Sequence, residues 1–170
     1  MASGKNHDRS IYITTPVILG VVSYFSGVEA GLITGASHLL AGLYLSPDLD
    51  LISRPYKRWG YLQHLWTPYQ KLIPRHRHWS SHGIIIGSVL RLIYLGALLH
   101  FAYSITVFIA AFVPPIEFIV SKIQQVQWAG ITPENFVAFF CGVELSALNH
   151  LLLDGMLLPL PQDVKNRLKG

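Results

Sequence analysis

From Gly83 to Val113 the chain is almost free of charge: Arg91 and His100 are its only basic residues, and it holds no acid. As a single helix this run would be roughly 45 Å long, against roughly 30 Å for the hydrocarbon core of a bilayer. A helix here must either be covered on all sides or meet lipid, by tilting or by projecting one end. Pro114-Pro115 marks its end, because proline cannot continue the helical hydrogen-bond ladder. The whole chain shares the bias. Only 13% of its 170 residues are charged and 51% are apolar, where an ordinary globular domain has about a quarter charged. The length suits one domain, residues 1–170.

Three further apolar runs accompany this one. The first goes from Ile11 to about Val28 behind a polar leader holding Lys5, His7, Asp8 and Arg9. Val28-Glu29-Ala30 faintly resembles a signal-peptide cleavage site, but a second apolar run follows at once, from about Ala30 to Leu45, which argues against a leader. Gly27, Gly31, Gly35 and Gly42 would let helices approach closely. Ser46-Pro47-Asp48-Leu49-Asp50 ends the second run with turn chemistry. The last run opens at Thr132-Pro133-Glu134, a cap followed by proline and an acid, and closes near Leu158. Residues 116–132 read as a short amphipathic helix. The expected fold is therefore all-α: about four long apolar helices, a transmembrane bundle, with a polar, basic central loop. Cys141 lies in an apolar run, is expected in the core, and excludes a disulfide framework.

The central segment, residues 51–82, interleaves Arg54, Lys57, Arg58, Lys71, Arg75 and Arg77 with Trp59, Tyr61, Trp66, Tyr69 and Trp79. Aromatic and basic residues together suit a membrane interface. They also suit nucleic acid, but these flank apolar spans, so no nucleic-acid partner is expected. With four spans, both termini and the central segment share one side of the membrane. That side would collect eleven of the 13 Lys and Arg, leaving Lys122 opposite and Arg91 within a span. The positive-inside rule makes it cytoplasmic, so the expected location is the cell (inner) membrane.

The histidines concentrate the chemistry. Arg75-His76-Arg77-His78-Trp79-Ser80-Ser81-His82-Gly83 packs three of the eight into seven residues. His78 and His82 have i, i+4 spacing if the stretch is helical, as do His150 and Asp154 near the end of the last helix. His38 lies eight residues before the end of the second helix, and Asp48 and Asp50 alternate at its exit, where they would also suit turn capping. With His7, these groups fall in one layer at the cytoplasmic face. Imidazole with carboxylate suits a divalent metal, zinc first, with manganese or iron as alternatives. His76 and His78 remain alternative ligands. His100 is read as a hydrogen-bonded core residue, and His64 as a surface one.

The order Ser3-Gly4-x-x-His7, Ser37-His38, Pro47-Asp48-Leu49-Asp50, His76-Arg77, Ser81-His82-Gly83 and Asn149-His150-x-x-x-Asp154 resembles the bacterial metal-binding proteins of unknown function, DUF2227. More loosely it is similar to the YdjM-like membrane-associated metal-dependent hydrolases. More distantly it resembles the helical zinc phospholipase C and P1 nuclease group, which uses three zinc ions. Those enzymes use the mature amino terminus as a ligand, whereas His7 here follows a polar leader, which puts a third metal in doubt.

These readings imply metal-activated water attacking a phosphoester. Asp50 or Asp154 would orient that water or bridge two metals, and Arg77 with Arg75 would hold the phosphate. A site at the membrane face suits a phosphorylated or lipid-linked substrate. The alternatives are a non-catalytic metal-binding membrane protein and a soluble all-α zinc hydrolase. Oligomeric state is open.

Overall fold

A computed structural model describes residues 3–124 and 132–157. Among them there is no strand. The helices are α1 (Gly4–Ser26), α2 (Val28–Tyr44), α3 (Arg54–Arg58), α4 (Thr67–Leu72), α5 (Trp79–His82), α6 (Ile86–Ala110), α7 (Pro114–Gln124) and α8 (Pro133–Leu153), with 3-10 turns at Pro47–Asp50 and Gly60–Trp66. The end of the amphipathic reading for 116–132 lies outside the described residues, whereas the last helix, expected to run to about Leu158, stops at Leu153, where Asp154 caps it and Gly155 takes a positive φ of 68°.

The central helix is α2, which packs along α1 on one side and α8 on the other. α1 and α2 are joined by a single residue, Gly27, at φ 91°, a left-handed-side conformation that L side chains resist. The α2–α8 contact is closer still. A Cβ on Gly142 would collide with Ser37 Oγ and with the backbone carbonyl of Thr34. Thr34 Oγ1 also donates to Ala138 O across this seam at 3.1 Å. Small residues thus bring two backbones together, and a hydroxyl ties them.

Among the described residues, three segments are long and apolar enough to cross a membrane by length and composition: Val28–Asp50, Ile86–Ala110 and Pro133–Leu153. α1 has 23 residues, but it starts at Gly4, so Lys5, Asp8 and Arg9 are part of the helix and dilute its apolar character. The expectation of four such helices is corrected to three, with α1 a long helix of mixed polarity. α6 stands apart from the α1–α2–α8 layer, meeting mainly α5 and α7. None of its most apolar window is buried. His100, expected as a core residue, is exposed on α6 because nothing packs against that turn. Cys141, expected in the core, is likewise exposed, at an open groove it shares with Ala30 and Thr34 of α2.

The central segment folds into a small core of its own. Leu49 and Trp66 are wholly buried with Tyr56 and Tyr69, and Trp66 meets Tyr69 edge-on with ring centroids 5.7 Å apart. Trp66 and Tyr69 are therefore internal rather than interfacial, while Tyr61 and Trp79 are exposed.

The seam gives a direct test. Gly142→Ala is expected to cost about 1–3 kcal/mol through overpacking. Gly20→Ala, with nothing within 4 Å of the new methyl, should be neutral or gain up to about 1 kcal/mol of helix propensity. Thermal unfolding in detergent compares the two.

Candidate metal centre

Four helix ends converge on the site. Ser3 caps α1 by accepting from Asn6 N at 3.4 Å, which places His7 within the first two turns. The sequence reading of His7 as part of a leader is corrected: it is a helical residue fixed in direction by α1. After α2, the Pro47–Asp50 turn aims Asp48 and Asp50 to different sides. The wholly buried Leu49 between them anchors the turn in the Trp66 core. Ser53 Oγ donates to Asp48 O at 2.7 Å and Gln70 Nε2 to Leu49 O at 3.0 Å, holding the turn from outside. α5 supplies His82 just ahead of α6. α8 supplies His150 in its last turn and ends at Leu153, with Asp154 as its C-cap.

The side chains form a continuous ladder. His7 Nε2 lies 3.2 Å from Asp154 Oδ1. His150 Nε2 lies 3.9 Å from Asp154 Oδ2 and 3.3 Å from Asp48 Oδ1. His82 Nε2 is 3.6 Å from the same Asp48 oxygen, and His82 Nδ1 is 3.7 Å from Asp50 Oδ2. His76 Nδ1 closes the series, 3.1 Å from Asp50 Oδ1. The rings of His7 and His150 stack with centroids 4.0 Å apart.

Three sets of ligand atoms lie within metal-chelating reach of one another: His7 with His150 and Asp154, Asp48 with His82 and His150, and Asp50 with His76 and His82. Asp48, Asp50, Asp154, His82 and His150 are all buried. Asp48 Oδ1, His82 Nε2 and His150 Nε2, which together make up the middle set, have no hydrogen-bond partner, nor do His7 Nδ1 and His76 Nε2. A buried polar atom without a partner typically costs 1–3 kcal/mol. The nearest ion-pair partners of Asp48 and Asp50 are imidazoles, not guanidinium groups. Orphaned nitrogens facing an orphaned carboxylate oxygen are what a divalent cation satisfies.

His38 is not among these sets. It is wholly buried between α1 and α2. Its Nδ1 meets Thr15 Oγ1 at 2.9 Å and its Nε2 meets Thr14 Oγ1 at 3.5 Å. Both ring nitrogens face hydroxyls, so the structure places His38 in the packing of α1 against α2 and not with the other expected ligands. His78 is also elsewhere: it caps α5, its Nδ1 accepting from Ser80 N at 3.3 Å. The i, i+4 pairing of His78 with His82 therefore does not form, because α5 begins after His78. Of the two alternatives, His76 is the one that reaches Asp50. Arg77 donates to Asp154 Oδ2 at 3.0 Å rather than lying over the open ligand atoms. It holds that carboxylate from a left-handed backbone, φ 63°, a conformation that costs a non-glycine residue free energy and is kept only where surroundings impose it.

Supporting residues complete the centre. Ser81 Oγ lies 2.9 Å from His82 Nδ1, and Ser46 Oγ lies 3.4 Å from His150 Nδ1. Arg91, 1% exposed, donates to Ser81 O at 2.5 Å and to Ser88 Oγ at 3.1 Å. Glu144 Oε1 accepts from Ile85 N at 2.8 Å, bracing the left-handed Ile85 (φ 65°) that joins α5 to α6. Arg91 and Glu144 thus fix His82 from behind. Sequence alone marks Arg91 as a charge within an apolar run, but gives no sign of its carbonyl target. Asp8, beside His7 in sequence, faces away and pairs with Arg54 and Arg58.

A family model described as "Uncharacterized metal-binding protein (DUF2227)" matches residues 2–162. The chain belongs to the DUF2227 family. Its metal-binding description agrees with a DUF2227 centre that holds three His/Asp sets, the middle one wholly buried. A stretch of 62 residues is 42% identical to an uncharacterized protein of Aquifex aeolicus (strain VF5), covering 36% of this chain and 43% of that relative. The matched stretch is thus under half of the relative's length. No solved structure matches this DUF2227 chain.

The two neighbouring histidines should separate by substitution. His76→Ala is expected to weaken metal binding at least about tenfold. His78→Ala should keep the metal and cost at most about 1 kcal/mol of capping. Competition against a chromophoric chelator, with thermal unfolding alongside, reads both.

Proposed function

We propose that the protein is a membrane-embedded, metal-dependent hydrolase acting on phosphoesters. The observation that carries this reading is the buried ladder with its unpartnered ligand atoms. Two of its three sets, His7/His150/Asp154 and Asp50/His76/His82, share no residue, while Asp48/His82/His150 borrows one from each. That pattern suits two ions with Asp48 between them. Zinc fits the imidazole-rich donors best, with manganese or iron as alternatives.

Bound there, the metal would supply Lewis acidity and a water of lowered pKa. The chain's own residues supply the rest. Asp154, fixed by Arg77, and Asp50, fixed by His76, would direct ligand lone pairs and orient water. The Arg91–Ser81 bond would keep His82 in register. A cavity of about 230 Å³ beside His7 and Asp48, also lined by Ser46, Ser53 and Arg54, gives the substrate a place next to the ligands.

Membrane insertion is supported by the three apolar segments and by the exposed apolar surface of α6. All four helix ends at the site lie at one end of the molecule, among Lys5, Arg9 and the basic residues of 51–82, which suits a cytoplasmic face of the inner membrane. A non-catalytic metal brace is the second reading; the burial of His82 and His150 favours it.

Purified full-length protein should contain about two metal ions per chain, lost to a strong chelator. His82→Ala and Asp154→Asn should lower metal content and reduce phosphoesterase activity on a chromogenic phosphoester by about a hundredfold or more. Elemental analysis and initial rates measure these. Full metal occupancy with no hydrolysis of mono-, di- or lipid phosphoesters would establish the brace instead.

A further inference from the structure

The outer flank of α1 carries a stripe that the metal centre does not use. Lys5, Arg9, Ile13, Val17 and Val21 recur every fourth residue and so form one i, i+4 ridge that winds around the outer side of the helix. All five are exposed. The first two are cations and the rest are apolar. Lys5 and Arg9 have no ion-pair partner among the described residues. Lys5 also sits in the first turn of α1, at the positive end of its macrodipole, where a cation is disfavoured. Helix stability therefore does not explain them.

A groove of about 620 Å³ runs along this flank, lined by Lys5, Asp8, Arg9, Tyr12, Ile13, Arg54 and Arg58. Four cations face one carboxylate there, and that carboxylate already bridges Arg54 and Arg58. The groove shares Asp8 and Arg54 with the 230 Å³ cavity at the ligand ladder. Two buried atoms without partners, His7 Nδ1 and Asp48 Oδ1, belong to residues lining that cavity. The cavity is smaller than a typical ligand pocket of about 300–1,000 Å³, so it fits a headgroup fragment and leaves the rest of a substrate outside.

We propose that this flank binds an anionic lipid, its phosphate held by Lys5, Arg9, Arg54 and Arg58 and its acyl chain lying along Ile13, Val17 and Val21. Charge complementarity selects a phosphate headgroup. The apolar continuation of the same stripe selects a lipid over a soluble phosphate. The groove then leads the headgroup towards Asp48 and His7, which names the substrate class of the hydrolase; that step alone rests on the hydrolase reading, since binding does not require turnover.

The test uses metal-loaded full-length protein in uncharged detergent, titrated by microscale thermophoresis with dioleoyl phosphatidic acid, dioleoylglycerol and inorganic phosphate. Phosphatidic acid is expected to bind at least about tenfold more tightly than either of the others. Lys5→Gln with Arg9→Gln should weaken it by about tenfold, with Lys5→Arg restoring part of the loss. Ile13→Asn with Val17→Asn should weaken phosphatidic acid and leave inorganic phosphate unchanged. Unchanged metal content reports that these surface variants are folded. Equal affinity for phosphate and phosphatidic acid would overturn the lipid assignment, and an unaffected Lys5/Arg9 variant would show a merely solvated strip. Lipid binding without any phosphoesterase activity supports the groove while removing the hydrolase reading. Hydrolysis of soluble phosphoesters without lipid binding removes the groove and leaves the hydrolase reading in place.

Discussion

The constraint on which the rest of the structure depends is the burial of three carboxylates among four imidazoles at the end of an apolar helical layer. Removing charge from water is costly, and geometry must compensate through partners for every lone pair. Asp154 obtains a guanidinium from Arg77. Asp48 and Asp50 obtain only imidazoles, and several of the facing nitrogens are themselves unpartnered. The arrangement is underpinned by hydrogen bonds from Ser53 and Gln70 behind the Asp48–Asp50 turn and from Arg91 behind His82. The cluster by itself carries unsatisfied polar atoms, which a divalent cation would satisfy and which the surrounding helices hold in place.

Helix geometry makes that holding effective. α1 and α8 present His7 and His150 from opposite chain ends, and the one-residue Gly27 link with the Gly142 seam locks both helices onto α2. The remaining ligands come from a turn and a short helix, which are inherently less rigid. They are tied down by a separate aromatic core around Trp66 and by the Arg91–Ser81 and Glu144–Ile85 bonds. The left-handed backbones of Arg77 and Ile85 flank α5 on either side. Strain is thus concentrated in the segment that aims His82.

The outer surfaces follow a different logic. The most apolar stretch of α6 is uncovered, while its first turns bury Ser88 and Arg91, and α1 changes from cationic to apolar along an i, i+4 ridge. Each is costly in water and reasonable against lipid, with the charged end of α1 beside the ligand ladder.

The sequence by itself determined that the chain is helical, where its main helices stop, and that histidine and aspartate concentrate near those stops. Proline and cap chemistry at Pro47, Pro114 and Thr132-Pro133 act locally, so they are legible without a fold. Periodicity also placed His150 and Asp154 together, because i, i+4 neighbours share a helix face. What only the tertiary structure decided was membership of the centre. His38 has the right depth and chemistry, yet Thr14 and Thr15 on α1 claim both its nitrogens. His78 has the right spacing, yet α5 begins one residue later and turns it into a cap. Cys141 and His100 lie in apolar runs and still face outward, since hydropathy does not say which side of a helix has a neighbour. Local spacing fixes a direction only within one helix. The meeting of His7 with Asp154, or of Asp48 with His82 and His150, depends on how separate helices are packed, and that is set by contacts distant in the chain.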